Sequence, residues 1–596
     1  MRKYLIIFLS LITTITYSQK KWIDSEITPK DLKAHLFYLA SDEMKGRFTG
    51  SNEERKVGNY IKEQFAAYGL KPLFNNSYFQ EFPFIEKIEL TRNNSVLIKT
   101  PLYSKKLIIK KDFITAPFSG NGNAKSNVIF AGYGISAPEL NYDDYEKINV
   151  YGKIVIVLRS NPENDSARSE FEKYSSMRFK ALIAKEKGAA AIIFVNQKKN
   201  DDELIQLTYD GAPGIKNFPV VQVKREFIEN IFEQKGLILS EIQKQIDSQK
   251  KPHSIEFDDI TISIATEVKE IEKKARNVAG YLEGNSPNLK NEYLVIGAHY
   301  DHLGIDQLLS SSLYKGKDKQ IHNGADDNAS GTSGLLELAE KFSSIKDSIR
   351  RSIIFIAFSG EELGILGSTY FTNNLPIPQE NIIAMLNLDM VGRLDSEKNL
   401  TIIGAGTSSK WKDMLNKNNK YNFELNLSDA GSGGSDHQAF LNKNIPVLFF
   451  FTGIHSDYHR PSDDADKINY DGASDVIKFV FDIANEIQNY DAKIDFVKVS
   501  ETVKRTSTRS RVTVGTIPEF GYNGEGYKIS GVTEGGPAEK AGLKSGDIII
   551  KFGPKKISNI YDFMYAISNY KPGDKVDVTI LRDEKELTFE VVLIEK

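Results

Sequence analysis

Five short motifs place metal-ligating side chains along one stretch of the chain. "IGAHYDH" offers His299, Asp301 and His302, and "NGADDNASG" offers Asp326 and Asp327. "FSGEELG" offers Glu361 and Glu362, "NLDMVG" offers Asp389, and "GIHSDYHRPSDD" offers His455 and His459. Imidazole with carboxylates is a donor set for zinc, or for a similar metal such as manganese or cobalt. Two histidines and at least three carboxylates exceed what one tetrahedral zinc with an open position uses. A pair of ions sharing a carboxylate, roughly 3.5–4 Å apart, fits that number better. Such a pair acidifies a water and polarises a carbonyl, and a nearby base is still needed. Adjacent acids such as Glu361 and Glu362 can divide that work, because neighbouring side chains after a strand point different ways.

Each motif alone has an ordinary reading. His299 could be a satisfied strand-end histidine, "GADDNASG" a solvated turn and "GEEL" a charged helix start. Asp326, Asn328, Ser330, Gly331 and Glu337 also fit the spacing of an EF-hand calcium loop. That loop needs an entering helix, and "LLSSSLYKGKDKQIHNGA" is polar and broken by Lys and Gly. The calcium spacing is therefore a coincidence, and Glu337 reads as a solvated helix residue.

The elements around the motifs decide between these readings. From about 270 to 490 strand and helix alternate: "EYLVIGAHYD", "SIIFIAFSG", "IIAMLNLDMVG", "LTIIGAG" and "IPVLFFF" are apolar strands, while "GLLELAEKF" and "SDVIKFVFDIANEIQNY" are helical. Near-continuous apolar strands between helices predict an α/β fold, a mixed and mostly parallel sheet covered by helices on both faces. All five motifs fall at strand ends or in the next loop, where open α/β sheets build their sites. Residues 25–75 read as helical, with Val57, Tyr60, Ile61 and Phe65 in helical register. Between them and the α/β block, "SNVIFAGYG", "GKIVIVLR", "AAAIIFVN" and "FPVVQV" predict a compact β-rich unit with one helix at "RFKALIAKEKG".

At 596 residues the chain has room for about four domains. Its 40% hydrophobic and 26% charged residues are ordinary for a globular protein. A net charge of −3 supplies no basic field for nucleic acid. The absence of cysteine excludes disulfides, thiolate metal sites and cysteine nucleophiles. Arg2 and Lys3, the apolar run Leu5 to Ile15 and the small residues Thr16 and Ser18 predict a signal peptide over 1–18, cleaved before Gln19. It is too short to span a membrane, and no other apolar run is long enough. A periplasmic or extracellular protein is expected.

The motif set "AHYDH", "NGADDNASG", "FSGEELGILGS", "NLDMVGR" and "YHRPSDD", in that order, resembles the secreted dinuclear-zinc aminopeptidase family. The similarity extends to "LASDEMKGRFTGS" in the N-terminal segment. "GKIVIVLR" and its surroundings resemble the inserted protease-associated domain of many members, and "GGPAEKAGLKSGDIII" resembles a bacterial PDZ domain. The implied organisation is a catalytic domain in two parts (19–85 and 266–495), the insertion at 86–265, a linker at 496–514 and a PDZ domain at 515–596.

By that resemblance two zinc ions are held by His299, Asp327, Glu362, Asp389 and His459. Asp327 bridges, His299 and Asp389 serve one metal, and Glu362 and His459 serve the other. Glu361 is the general base that takes a proton from the water between the metals and passes it to the leaving amine. Asp301 orients His299, and Tyr458 stabilises the oxyanion. His302, His322, His437 and His455 match no ligand position. Asp326 turns its loop, and Ser462–Asp464 brace that of His459. The implied activity is N-terminal hydrolysis of peptide or protein substrates, with a peptide C-terminus as ligand of the PDZ domain through "GYNGEGYKI". Carboxypeptidase and one-zinc cyclase relatives on the same fold are the enzymatic alternatives, and a non-catalytic peptide-binding protein is the other.

Overall fold

The computed structural model describes residues 26–163, 169–171, 174–197, 202–209, 214–305, 312–314, 316, 318–431, 433–499, 512–518, 526–533, 535–544, 546–557, 563, 566–567, 570–583 and 585–595. The expected signal peptide, most of the expected linker and residues 521–525 of the "GYNGEGYKI" loop lie outside the described residues. Among the described residues no helix is long and apolar enough to cross a membrane.

The α/β block is built on a nine-stranded sheet. Four strands at its centre, Ser352–Phe358, Tyr293–His299, Ile382–Leu388 and Val447–Phe451, lie side by side and all run parallel. Asn399–Ile403 continues the sheet antiparallel to Val447–Phe451 and pairs in parallel with Glu424–Ser428. On the other side Val268–Leu282 is antiparallel to Ser352–Phe358. Runs such as SIIFIAF and IIAMLNL are buried at every residue, because helices cover both faces of a parallel sheet.

Helix Gly331–Ser344 packs between helices Pro29–Leu39 and Tyr470–Asn489 as well as on the sheet. That three-sided packing corrects one expectation. Glu337 is only 3% exposed, not solvated, and its Oε1 lies 3.4 Å from His35 Nε2 of the N-terminal helix. The other imidazole nitrogen of His35 meets the Tyr60 hydroxyl at 2.6 Å.

Strand Phe79–Leu90 pairs antiparallel with Val268–Leu282, and these two long arms lead into and out of the insertion. The insertion holds an eight-stranded sheet with its own apolar cores, in which Ile154–Leu158 and Ala191–Val195 are buried throughout. Towards the C-terminus a separate six-stranded sheet, with helix Pro537–Ala541, closes over Ile529, Ile549, Phe552, Val578 and Ile580.

Candidate metal centre

Consecutive parallel strands deliver the acids and histidines to one place. His299 is the last residue of its strand, Asp389 directly follows Ile382–Leu388, and Glu361 and Glu362 follow Ser352–Phe358 by a short turn. Asp327 comes from the segment Ala325–Ser330 that opens helix Gly331–Ser344, and His459 from the loop after Val447–Phe451. The two oxygens of Asp327 face different imidazoles: Oδ1 lies 3.3 Å from His299 Nε2 and Oδ2 3.2 Å from His459 Nε2. His299 Nε2 is also 3.3 Å from Asp389 Oδ1, and His459 Nε2 is 3.4 Å from Glu362 Oε2. Glu361 Oε2 stands 4.0 Å from His299 Nε2.

Among the described residues, two groups have ligand atoms within 4.8 Å of one another: His299, Asp327 and Asp389, and His302, Asp327 and Glu362. Asp327 belongs to both. His302, which the motif comparison leaves aside, points Nδ1 at Glu362 Oε1 from 2.6 Å. The structure thus brings two histidines to Glu362, His302 on one oxygen and His459 on the other.

A second layer of contacts holds these groups. The buried guanidinium of Arg47 donates to the carbonyls of Leu39, Asn323, Gly324 and Asp327, fixing the loop that presents Asp327. Gly324 in that loop has φ +55, and a Cβ there would lie 2.2 Å from the Asp327 carbonyl oxygen and 2.4 Å from the His302 ring. Only glycine fits such a position. Asp463 Oδ2 accepts the backbone N–H groups of Asp326 (2.9 Å) and Asp327 (3.1 Å), tying the His459 loop to the Asp327 loop. Ser435 Oγ donates to Asp389 Oδ2 at 2.7 Å. His459 (φ +54) and Met390 (φ +54), the residue after Asp389, both occupy the left-handed region, a local strain that surrounding contacts must maintain.

The charge balance indicates what the site is built for. Burial pushes Glu361 well above the ordinary carboxylate range; His299 opposes this, and Glu362, Asp389 and Asp436 add to it. Burial, followed by Asp327, pushes Glu362 up to about 8. Burial opposes the charge of Asp327 too, yet His299 and His459 hold it well below the usual range. So many buried acids around two or three imidazoles leave uncompensated negative charge, which bound divalent cations offset. Nitrogen and carboxylate donors in two groups sharing one carboxylate fit zinc.

Residues 277–484 match the model of peptidase family M28, residues 115–231 that of the PA domain and residues 497–593 that of the PDZ domain. Residues 277–484 are an M28 domain. Aminopeptidase YwaD of Bacillus subtilis (strain 168) is 27% identical over 306 residues, covering 49% of this chain and 55% of that protein. A probable periplasmic serine endoprotease, DegP-like, of Marinomonas sp. (strain MWYL1) is 46% identical over 68 residues, 11% of this chain and 14% of the relative. The chain thus spans about half or less of the length of these curated relatives. Among solved structures, the aminopeptidase from Aneurinibacillus sp. strain AM-1 has 22% identity and a TM-score of 0.46, covering 78% of this chain and 95% of that one.

Within the M28 domain the remaining motif residues take distinct places. Asp301 Oδ1 lies 3.7 Å from His299 Nδ1, longer than a hydrogen bond, whereas the Asp301 carbonyl oxygen is 3.2 Å away. Its carboxylate instead accepts from the Thr49 hydroxyl (2.8 Å) and the Glu361 N–H (3.2 Å), so it also anchors the turn that carries the paired glutamates. Tyr458 stacks on His459 with ring centroids 3.8 Å apart. Asp326 accepts the Gly392 N–H at 2.6 Å and faces His455 Nε2 at 3.2 Å. His322 bonds Ser312 at 2.7 Å, and His437 stacks on Phe449.

Glu54 braces the same region from helix Asn52–Ala67. Its carboxyl bonds the Gly50 N–H (2.6 Å) and the Ser359 hydroxyl at the end of a central strand. Burial, then Asp301, pushes it up to about 8. The folded protein therefore holds a proton that the unfolded chain releases near the ordinary glutamate value of about 4.3. The linked stability is fully present below that value and is lost as pH rises through 8. Wild type is expected to lose more of its melting temperature between pH 5 and pH 8 than Glu54→Gln does. Calorimetry at the two pH values checks this, and equal losses would remove Glu54 as the source.

Proposed function

We propose that this chain is an exported, two-zinc aminopeptidase that removes N-terminal residues from peptides. The observation that carries the reading is the placement of Asp327 between His299 and His459, with Asp389 on one side and Glu362 on the other. His299 and Asp389 would hold one zinc, Glu362 and His459 the other, with Asp327 shared and His302 steadying Glu362. Zinc held there would supply Lewis acidity, able to polarise a peptide carbonyl and to make a water nucleophilic near neutral pH.

The rest of the chemistry belongs to side chains. Glu361, at the edge of the cluster, takes the proton of the attacking water and hands it to the leaving amine. Asp301, bonded to the Glu361 N–H, positions that base. Tyr458 donates its hydroxyl to the oxygen on which negative charge develops. Tyr458→Phe is expected to lower kcat by about 100-fold with little change in zinc content. Steady-state kinetics beside metal analysis checks this, and an unchanged kcat would assign Tyr458 to packing on His459.

The insertion and the PDZ domain serve substrate handling, the latter by taking a peptide C-terminus at a sheet edge. The basic start and apolar run of residues 1–18 support export, so the mature chain is expected to begin at Gln19, which its intact mass checks. Peptide products test the activity. A peptide with a free N-terminus should lose its first residue, while its N-acetylated form should stay intact. Release of a C-terminal residue from the acetylated peptide would favour the carboxypeptidase alternative instead.

A further inference from the structure

His459 reaches the metal centre differently from His299. His299 ends a central strand and is paired in register with Phe358 of the neighbouring strand. His459 lies in the loop after Val447–Phe451, and its φ of +54 is one that a residue with a side chain seldom adopts. Such a conformation persists only where neighbours hold it. The flanks of the loop are held: Arg393 Nη2 donates to Asp457 Oδ2 at 2.5 Å, and Asp463 accepts two N–H groups of the Asp327 loop. At His459 itself the backbone carbonyl accepts the Leu313 N–H at 2.9 Å.

Leu313 belongs to the stretch between His302 and Asp327, and the residue before it is tied to the Asp327 side. Ser312 Oγ lies 2.7 Å from His322 Nε2, and His322 Nδ1 lies 3.1 Å from the Gln320 carbonyl oxygen. A carbonyl only accepts, so Nδ1 carries the ring proton and Nε2 accepts from the Ser312 hydroxyl. The serine oxygen also accepts the Tyr314 N–H at 3.1 Å, closing a tight turn around Leu313. His322 is a firm anchor, only 1% exposed. Its N–H donates to the Gly304 carbonyl at 3.0 Å, and the Gly304 N–H donates to Gly46, next to Arg47, at 3.0 Å. Two neighbouring residues thus span both ligand loops, Ser312 bonded to the one that presents Asp327 and Leu313 to the one that presents His459.

We infer that Ser312 and Leu313 form a clamp that positions His459 for the zinc it shares with Glu362, and not for the zinc of His299 and Asp389. This rests on the two-zinc reading and adds positioning residues for one of its two positions. Ser312 fixes the turn to His322, and the turn fixes the His459 carbonyl. Without the hydroxyl the turn loses its anchor, and His459 loses a contact that maintains its left-handed backbone. His299, set by its strand, depends on neither residue.

Zinc binding to the full chain, read by competition with a chromophoric chelator, tests the clamp. Wild type should give two dissociation constants. In Ser312→Ala one of them should weaken by about 10-fold or more, the scale on which partners beyond the ligands act, while the other stays. Ser312→Thr keeps the hydroxyl and should restore the wild-type value. In His459→Ala the remaining zinc sits with His299 and Asp389, so adding Ser312→Ala should change nothing. Unchanged constants in Ser312→Ala, an equal loss in both, or a further loss in the His459→Ala background would overturn the clamp and leave the two-zinc reading intact. Uptake of fewer than two zinc ions by the wild type would overturn both.

Discussion

Glu361→Gln is expected to slow peptide hydrolysis by about 100- to 10,000-fold, the usual contribution of a positioned general base, while zinc content stays at the wild-type level. The substitution keeps the shape of the side chain and the backbone N–H bond to Asp301. It removes only the group able to take and return a proton. Glu361 also sits among Glu362, Asp389 and Asp436, all of which raise its carboxyl. Replacing it with a neutral amide relieves repulsion, so the variant is expected to fold and to melt no lower than wild type. Turnover of an aminoacyl-nitroanilide at the wild-type rate would make the glutamate base wrong.

Asp327→Ala is expected to have the opposite signature, loss of metal together with activity. One carboxylate faces both imidazoles, so its removal takes a donor from each group at once. Loss of a supporting residue beyond the ligands typically weakens metal binding 10- to 100-fold, and loss of a shared ligand should exceed about 100-fold at both positions. Asp326→Asn is the control. The Asp326 carboxylate is turned towards the Gly392 N–H and His455, away from His299 and His459, so this variant should keep its zinc. Metal analysis after dialysis separates the cases. Wild-type zinc in Asp327→Ala would sink the bridging role.

The fold was legible in the sequence where burial dictates residue type. Runs such as SIIFIAF admit few alternatives to a strand covered on both faces, and chemistry-bearing residues immediately after them mark the strand ends. The strand order across the sheet was not legible, because Asn399–Ile403 and Glu424–Ser428 look like the other strands and join the edge with one antiparallel step. At the site, side chains at strand ends carried the signal. Contacts made across long sequence separations did not. Arg47 reaches the Asp327 loop from 276 or more residues away, and nothing in "KGRFTGS" says which carbonyls it meets. Asp463 showed only as part of "SDD", with no sign of the two N–H groups it accepts. His302 was visible inside "AHYDH", yet its contact with Glu362 depends on two strand ends lying in register. Glu337 was misread because a charged residue in a helix is ordinarily exposed; here three-sided packing and His35 keep it inside.

Zinc per chain, measured together with activity, tests the central claim most directly. The full-length protein should contain two zinc ions per chain, lose aminopeptidase activity on chelation and recover it when two equivalents of zinc return. A fully active protein holding one zinc per chain, or none, would contradict a centre in which Asp327 bridges two metals.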